Sequence, residues 1–171
     1  MATWNNCIIR YNNQRNPSSS AHLKQVTIGL DQDFEEVLTK NLIKITPPKT
    51  SINWSNGKND TKMVDLLVIE ERFTINGTLA TGLGTGGSFD VGDGQGSKTY
   101  VEQTNASDKR DDLKAIFLAG GTMWLTWQDS TVQINCDKLQ INPDNKEGSE
   151  PADGESGYTV QMTCLKGVDL A

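Results

Sequence analysis

The residues that could carry chemistry begin with a glycine pattern, Gly82-x-Gly84-x-x-Gly87. This spacing formally matches the dinucleotide fingerprint, in which glycines let a strand turn tightly into a helix whose backbone amides hold a pyrophosphate. More glycines follow, as far as Gly96, where that helix would have to begin. The context therefore favours a flexible loop over a nucleotide site, and we predict no bound cofactor.

Neither the carboxylates nor the single histidine form a better catalytic set. Asp90 and Asp93 lack the D-x-[DN]-x-[DN]-G spacing of a calcium loop. Glu70 and Glu71 are adjacent on a predicted strand, so they would point to opposite faces and could not share a substrate. His22 lies beside a serine-rich loop without a recognisable nucleophile motif. We predict no catalytic residue and no metal site, and we interpret the protein as non-enzymatic.

Composition and charge limit the classes of protein to which the chain can belong. The 171 residues fit one domain, 1–171, although only 35% of them are apolar, so the core must be thin or completed by a partner. A net charge of -6 argues against a surface that grips nucleic acid, because phosphate binding relies on clustered Lys and Arg. No apolar run approaches the roughly 20 residues of a membrane helix. The N-terminus does not resemble a signal peptide, so we expect synthesis in the cytoplasm without membrane insertion.

The three cysteines have no C-x-x-C spacing and suggest neither a disulfide framework nor a zinc site. We expect buried free thiols. One pairing stays open, because Cys136 and Cys164 fall on apolar faces of two strands that could be neighbours.

The spacing of apolar residues predicts a mainly β protein with a short helix. Alternation indicates strands, and spacings of three and four residues indicate helices at residues 33–39 and 108–118. The expected strands cover residues 7–11, 23–30, 63–79, 122–127, 131–141 and 158–168. Residues 98–102 could return against 63–79 as a long hairpin, and 142–157 reads as an exposed loop.

Three details refine this prediction. If unbroken, residues 63–79 would extend about 50 Å at roughly 3.3 Å per residue, which implies a bend near Glu70 or projection beyond the domain. The apolar phase switches after Cys136, which predicts a bulge around Asp137 and Lys138. The glycine-rich loop 82–97 should be mobile in an isolated subunit and order only against a partner.

Four tryptophans could stack on sugars or bases. Trp127 reads as core. Trp124 lies on the other face of the same strand, so it needs cover from the helix at 108–118 or from another subunit.

Four segments together carry a family resemblance: VDLLVIEERFTINGTL, DDLKAIFLAGGTMWLTW, STVQINCDKLQI and GYTVQMTCLKGVDL. In element order they resemble the tail-tube-fold proteins of tailed viruses and contractile injection systems, which include tube subunits, distal tail proteins and baseplate hub adaptors. The resemblance covers residues 63–170. The glycine-rich insert and the extended N-terminal half depart from a minimal tube subunit.

The resemblance implies an antiparallel β-sandwich or barrel with a flanking helix. It also implies a structural subunit of the virion tail that closes into homo-oligomeric, usually hexameric, rings with other tail or baseplate proteins. DNA would pass through the lumen without specific binding. Candidate assembly contacts are Trp124, Leu83, Phe89, Val91, Glu70 and Arg72. The rival interpretation is a monomeric β-sandwich binding module that recognises glycans, through Trp54 or Trp124, or protein partners. A hydrolase that uses a carboxylate is a further alternative.

Overall fold

A computed structural model describes residues 6–12, 23–45, 62–119, 122–143 and 157–167 of the chain. Trp54, His22 and the predicted loop at 142–157, apart from its first two residues and its last, lie outside these ranges. Within them the order of elements is β1 (Asn6–Asn12), β2 (Leu23–Ile45), β3 (Lys62–Leu79), β4 (Gly87–Phe89), β5 (Lys98–Tyr100), α1 (Ala106–Ala119), β6 (Thr122–Trp127), β7 (Ser130–Pro143) and β8 (Tyr158–Lys166).

Six strands close into a barrel in the order β1-β2-β3-β8-β7-β6. The registers of β1 with β2 and β6, of β8 with β3 and β7, and of β6 with β7 are antiparallel. Closure leaves no unpaired sheet edge around the barrel. The short strands β4 and β5 form a separate two-stranded sheet. The predicted class, a mainly β antiparallel barrel with one flanking helix, is confirmed.

Contacts within the chain divide it into two compact units. We call Met1–Glu36 with Arg72–Ala171 the body, and Val37–Glu71 the arm. Strands β2 and β3 each contribute residues to both units.

Alternation along the strands fills the body's core. On β1 and β6 every second side chain points into the core, as the period of a strand requires. These side chains include Cys7 and Ile9 on β1 and Met123 and Leu125 on β6. Leu113 and Ile116 of α1, three residues apart, add the helix to the same core. Trp127, predicted to be core, packs against this cluster and stacks on Phe34 with 3.9 Å between ring centroids.

The helix predicted at residues 33–39 is wrong. Strand β2 runs unbroken from Leu23 to Ile45, and β3 is its neighbour in the sheet. Phe34, Val37 and Leu38 fit a helical spacing, but Phe34 packs on the core while Val37 and Leu38 are exposed. A spacing of three residues changes face in a strand, so pairing with β3 overrides the local pattern.

The long hairpin between residues 63–79 and 98–102 is also wrong. Strand β3 has β2 and β8 as its neighbours, whereas β5 pairs with β4. Over Arg72–Leu79 the edge of β3 that a return strand would need is taken by β8. Beyond β5, Val101 forms an isolated parallel bridge with Lys24. Strand β3 itself is continuous through Glu70 and Glu71.

The bulge predicted near Asp137 is confirmed, since the register of β7 against β8 shifts between Cys136 and Lys138. Directly before it, Cys136 lies opposite Cys164, and their sulfurs form a disulfide. The expectation of free thiols is therefore wrong for this pair, because the register brings the two Cα atoms within 4.1 Å. It is confirmed for Cys7, whose burial raises the pKa of its thiol to about 12.

Thiol labelling should separate these cysteines. At pH 8 the native, unreduced protein should take up no iodoacetamide, because Cys7 is buried and its pKa lies well above the pH of the experiment. Denaturation without reductant should expose one thiol, and denaturation with reductant should expose three. Mass spectrometry counts the labels, and three labels without reductant would exclude the Cys136–Cys164 bond.

Substitution of Gly77 on β3 tests how closely β3 packs against β2 in the barrel wall. A Cβ at this position would lie 2.3 Å from the backbone oxygen of Gly29 and 2.6 Å from a methyl of Ile28. We expect Gly77→Ala to lower the free energy of unfolding by about 1–3 kcal/mol, as overpacking does. Gly87→Ala is the matched control, since its Cβ would meet nothing within 4 Å, and it should stay within about 0.5 kcal/mol. Equal urea midpoints for the two variants would contradict the packing described here.

Candidate assembly surface

The arm exposes most of its described apolar side chains. Leu38 is 64% exposed, Ile69 57% and Val68 55%. Monomeric proteins rarely leave such large side chains uncovered in a contiguous patch. The members of this set are Val37, Leu38, Leu42, Ile43, Val64, Leu66, Val68 and Ile69.

Both faces of the arm carry these residues. On β3, Leu66 and Val68 share one face while Ile69 lies on the other, and on β2 Leu42 and Ile43 are likewise on opposite faces. Between the two strands, Lys40 Nζ lies 3.2 Å from Asp65 Oδ2, and both side chains are substantially exposed. Such a pair adds little stability on the surface. A strand pair that is apolar on both faces needs cover on both.

The body's outer face, in contrast, is covered by the chain itself. We call residues 80–101 the glycine-rich segment. Val91 of this segment packs with Leu23 and Tyr100, and Phe89 and Trp124 pack against the three. The loop predicted to order only against a partner therefore has a partner within its own body. The segment has few apolar residues, but these pack against Leu23 and Trp124 of the barrel.

A buried ion pair holds the glycine-rich segment against the barrel. Glu102 Oε1 lies 2.7 Å from Lys109 Nζ, and both side chains are 0% exposed. Glu102 also accepts hydrogen bonds from the Thr27 backbone N–H at 2.8 Å, the Thr27 hydroxyl at 2.9 Å and the Gln25 amide at 2.8 Å. Lys109 donates a second hydrogen bond to the Leu83 carbonyl. We call these contacts the Glu102 network, and they join β2, α1 and the glycine-rich segment.

The network also explains a glycine. Gly84 has φ +80°, and a Cβ there would lie 2.2 Å from Thr27 Oγ1 and 2.7 Å from Glu102 Oε1. Only glycine fits both the left-handed backbone and the close approach. The pattern that imitated a nucleotide fingerprint is thus used for packing, since β4 and not a helix follows it.

Arg10 is a second buried cation on this face. Its Nε donates to Gln25 Oε1 at 3.1 Å and its Nη1 to Thr126 Oγ1 at 2.8 Å. The guanidinium carbon lies 3.6 Å from the centroid of the Phe89 ring and 5.7 Å from that of Tyr100. Burial lowers the pKa of Arg10, and the charges of Tyr100 and Glu102 oppose that shift. The stacked cation clamps Phe89, and with it β4, onto the barrel.

The predicted assembly residues fall in different places. Phe89, Val91 and Trp124 contact their own body, and Leu83 is close to Gly29, where a Cβ would lie 3.3 Å from its side chain. These four positions belong to the body, whereas the exposed apolar set belongs to the arm. Trp124 was expected to need the helix or another subunit, but the glycine-rich segment packs against it.

The other two predicted residues belong to β3. Arg72 Nη1 lies 3.2 Å from Asp137 Oδ2 in a partly exposed ion pair. Glu70 is exposed and lies in the arm. A role in assembly for any of the six residues stays a prediction.

Sequence reasoning missed Glu102, Lys109 and Arg10. One signal was available, because Lys109 stands at helical spacing among Ala106, Leu113 and Ile116, the buried stripe of α1. A lysine in such a stripe needs a buried carboxylate. Nothing local marked Glu102 as that partner.

The described ranges hold neither a candidate membrane helix nor a candidate metal site. No helix there is both long and apolar enough to cross a membrane. Those ranges also hold no group of three or more His, Cys, Asp or Glu placed to bind a metal ion.

Comparison with known proteins gives likenesses among solved structures alone. No protein-family model matches the chain, and no curated protein matches it. Among solved structures, the chain is similar to one from the virion of a native gene transfer agent particle. The identity is 13%, the match covers 98% of this chain and 95% of that one, and the TM-score is 0.41.

Substitution of Lys109 tests the Glu102 network. Lys109→Met leaves Glu102 buried without its cation, and we expect a loss of about 3–5 kcal/mol in the free energy of unfolding. Lys114→Met, on the exposed side of the same helix, is the control and should stay within about 0.5 kcal/mol. The double variant Glu102→Gln with Lys109→Met should lose less than the sum of the two single losses. Additive losses in urea denaturation would show that the two side chains do not interact.

Proposed function

We propose that this protein is a non-enzymatic structural subunit of a viral tail tube or baseplate, and that copies of it assemble into rings. The observation that carries the proposal is the arm, with eight large apolar side chains exposed on two faces. In a ring, a neighbouring copy of the same chain would cover them.

The energetics favour assembly through the arm. Full burial of one such side chain contributes about 1.5–3 kcal/mol. Even partial cover of several would exceed what a single exposed ion pair such as Lys40–Asp65 can add. Rings of identical subunits give every copy the same contact and leave no arm uncovered. The body has its own core, and the glycine-rich segment covers the patch around Leu23 and Trp124.

The kind of ring follows from the family resemblance noted in the sequence. Tail-tube-fold proteins form rings, usually hexameric, around a channel for DNA, together with other tail or baseplate proteins. A subunit with net charge -6 suits a channel through which DNA slides, since an acidic lumen repels phosphate. On this proposal the protein is made in the host cytoplasm and resides in the virion tail. DNA passes without specific binding.

A monomeric module that binds glycans or protein partners is the sequence's rival interpretation. Trp124 does not favour it, because Trp124 packs with Leu23, Val91 and Tyr100 and does not stand free as a stacking platform. The experiment below distinguishes the two, because the rival requires a protein that stays monomeric.

Negative-stain microscopy and sedimentation velocity of the purified protein test the proposal. We expect rings or short tubes above a critical concentration. Leu42→Asp should raise that concentration by at least about tenfold, the equivalent of about 1.4 kcal/mol of lost apolar contact. A strictly monomeric wild type at high concentration would count decisively against the proposal.

The control places the same charge one residue away. Asn41→Asp adds a carboxylate to an exposed arm position without removing apolar surface. It should assemble nearly as the wild type does. Matching melting curves for both variants would show that the body remains folded, so that any difference between them belongs to the arm.

A further inference from the structure

A groove on the body runs between α1 and β7, with a volume of about 220 Å³. Its apolar wall includes Leu118, which is 77% exposed, although α1 is otherwise packed on the core. The residues that line it are Arg110, Lys114, Phe117, Leu118, Leu139 and Ile141.

The groove combines an apolar floor with a basic rim. Leu139 and Ile141 pack against the core from below and are only partly buried. On the rim, Arg110 lies with its guanidinium carbon 5.5 Å from the centroid of the Tyr158 ring, and Lys114 is exposed one turn further along α1. Arg110 Nη1 also lies 3.6 Å from Asp111 Oδ1, so Lys114 is the rim cation that a carboxylate from outside would meet. An apolar segment that carries carboxylates fits this chemistry.

The end of the arm at residues 68–71 has that composition. Val68 and Ile69, both exposed, are followed directly in β3 by Glu70 and Glu71. We infer that this groove receives the arm of a second copy of the chain, with Val68 or Ile69 over the apolar floor and Glu70 facing Lys114. The inference rests on the proposed ring assembly and names the surface that would cover one face of each arm.

Two features make a second copy the occupant that fits best. The charges are complementary within one sequence, because each copy supplies both Glu70 and Glu71 at the end of the arm and Lys114 at the rim of the groove. The contact is also heterologous, since arm and groove are different surfaces, and heterologous contacts between identical subunits form a ring when their rotation closes. A symmetric dimer through the arms alone would leave the groove uncovered.

Charge reversal and its rescue test the contact. We expect Lys114→Glu and Glu70→Lys each to raise the critical concentration for assembly by at least about tenfold, because like charges then face each other. The double variant Glu70→Lys with Lys114→Glu restores an opposite pair and should return to within about threefold of the wild type. Lys138→Glu, an exposed charge reversal on β7 that does not line the groove, is the matched control and should assemble normally.

The outcomes separate this inference from the proposed function. If the wild type assembles and Lys114→Glu assembles equally well, the groove does not seat the arm, while the ring proposal stands. If both single variants fail and the double variant fails too, Glu70 and Lys114 do not face each other, and the inference is overturned. If the wild type never assembles, both are overturned. Far-UV circular dichroism and melting of every variant establish that the body is folded, which is expected because both positions are exposed.

Discussion

The ion pair between Glu102 and Lys109 holds together three parts of the body that are separate in sequence. Glu102 follows β5, Lys109 lies in α1, and the carboxylate also accepts hydrogen bonds from β2. Because both charges are withdrawn from water, each depends on the other and on the surrounding donors. This dependence keeps the glycine-rich segment on the barrel, where its few apolar residues would contribute little by themselves.

The glycine-rich segment and the contacts of Arg10 both stabilise the outer face of the barrel. Arg10 would be a costly cation on the outer face of β1 if Gln25, Thr126 and the Phe89 ring did not surround it. With these contacts the body has an apolar core inside the barrel and, outside it, a layer in which the Arg10 guanidinium is hydrogen-bonded and stacked.

The arm has the opposite character, and this contrast is the basis for assigning assembly to it. Its apolar residues alternate as in any strand, but the described ones remain exposed. Exposed apolar surface tends toward association. If the groove beside α1 receives the arm of a second copy, Glu70 and Glu71 would meet Lys114 beside an apolar floor. One sequence would then supply both a surface to be covered and a surface able to cover it.

The sequence by itself determined most of the body. The alternation of apolar residues predicted the strands at 7–11, 122–127 and 131–141, the helical spacing of Leu113 and Ile116 predicted α1, and the phase switch after Cys136 predicted the bulge. These features depend on residues that are close together in the sequence, so the spacing of apolar residues is enough to predict them. Tertiary structure decided what depends on pairing across long separations. Register with β8 brought Cys164 to Cys136, pairing with β3 made residues 33–39 a strand, and barrel closure sent residues 98–100 to β4. Glu102 and Lys109 are only seven residues apart, but their pairing could not be predicted either, because a charge has no periodic signature and only the folded chain shows which partner it meets.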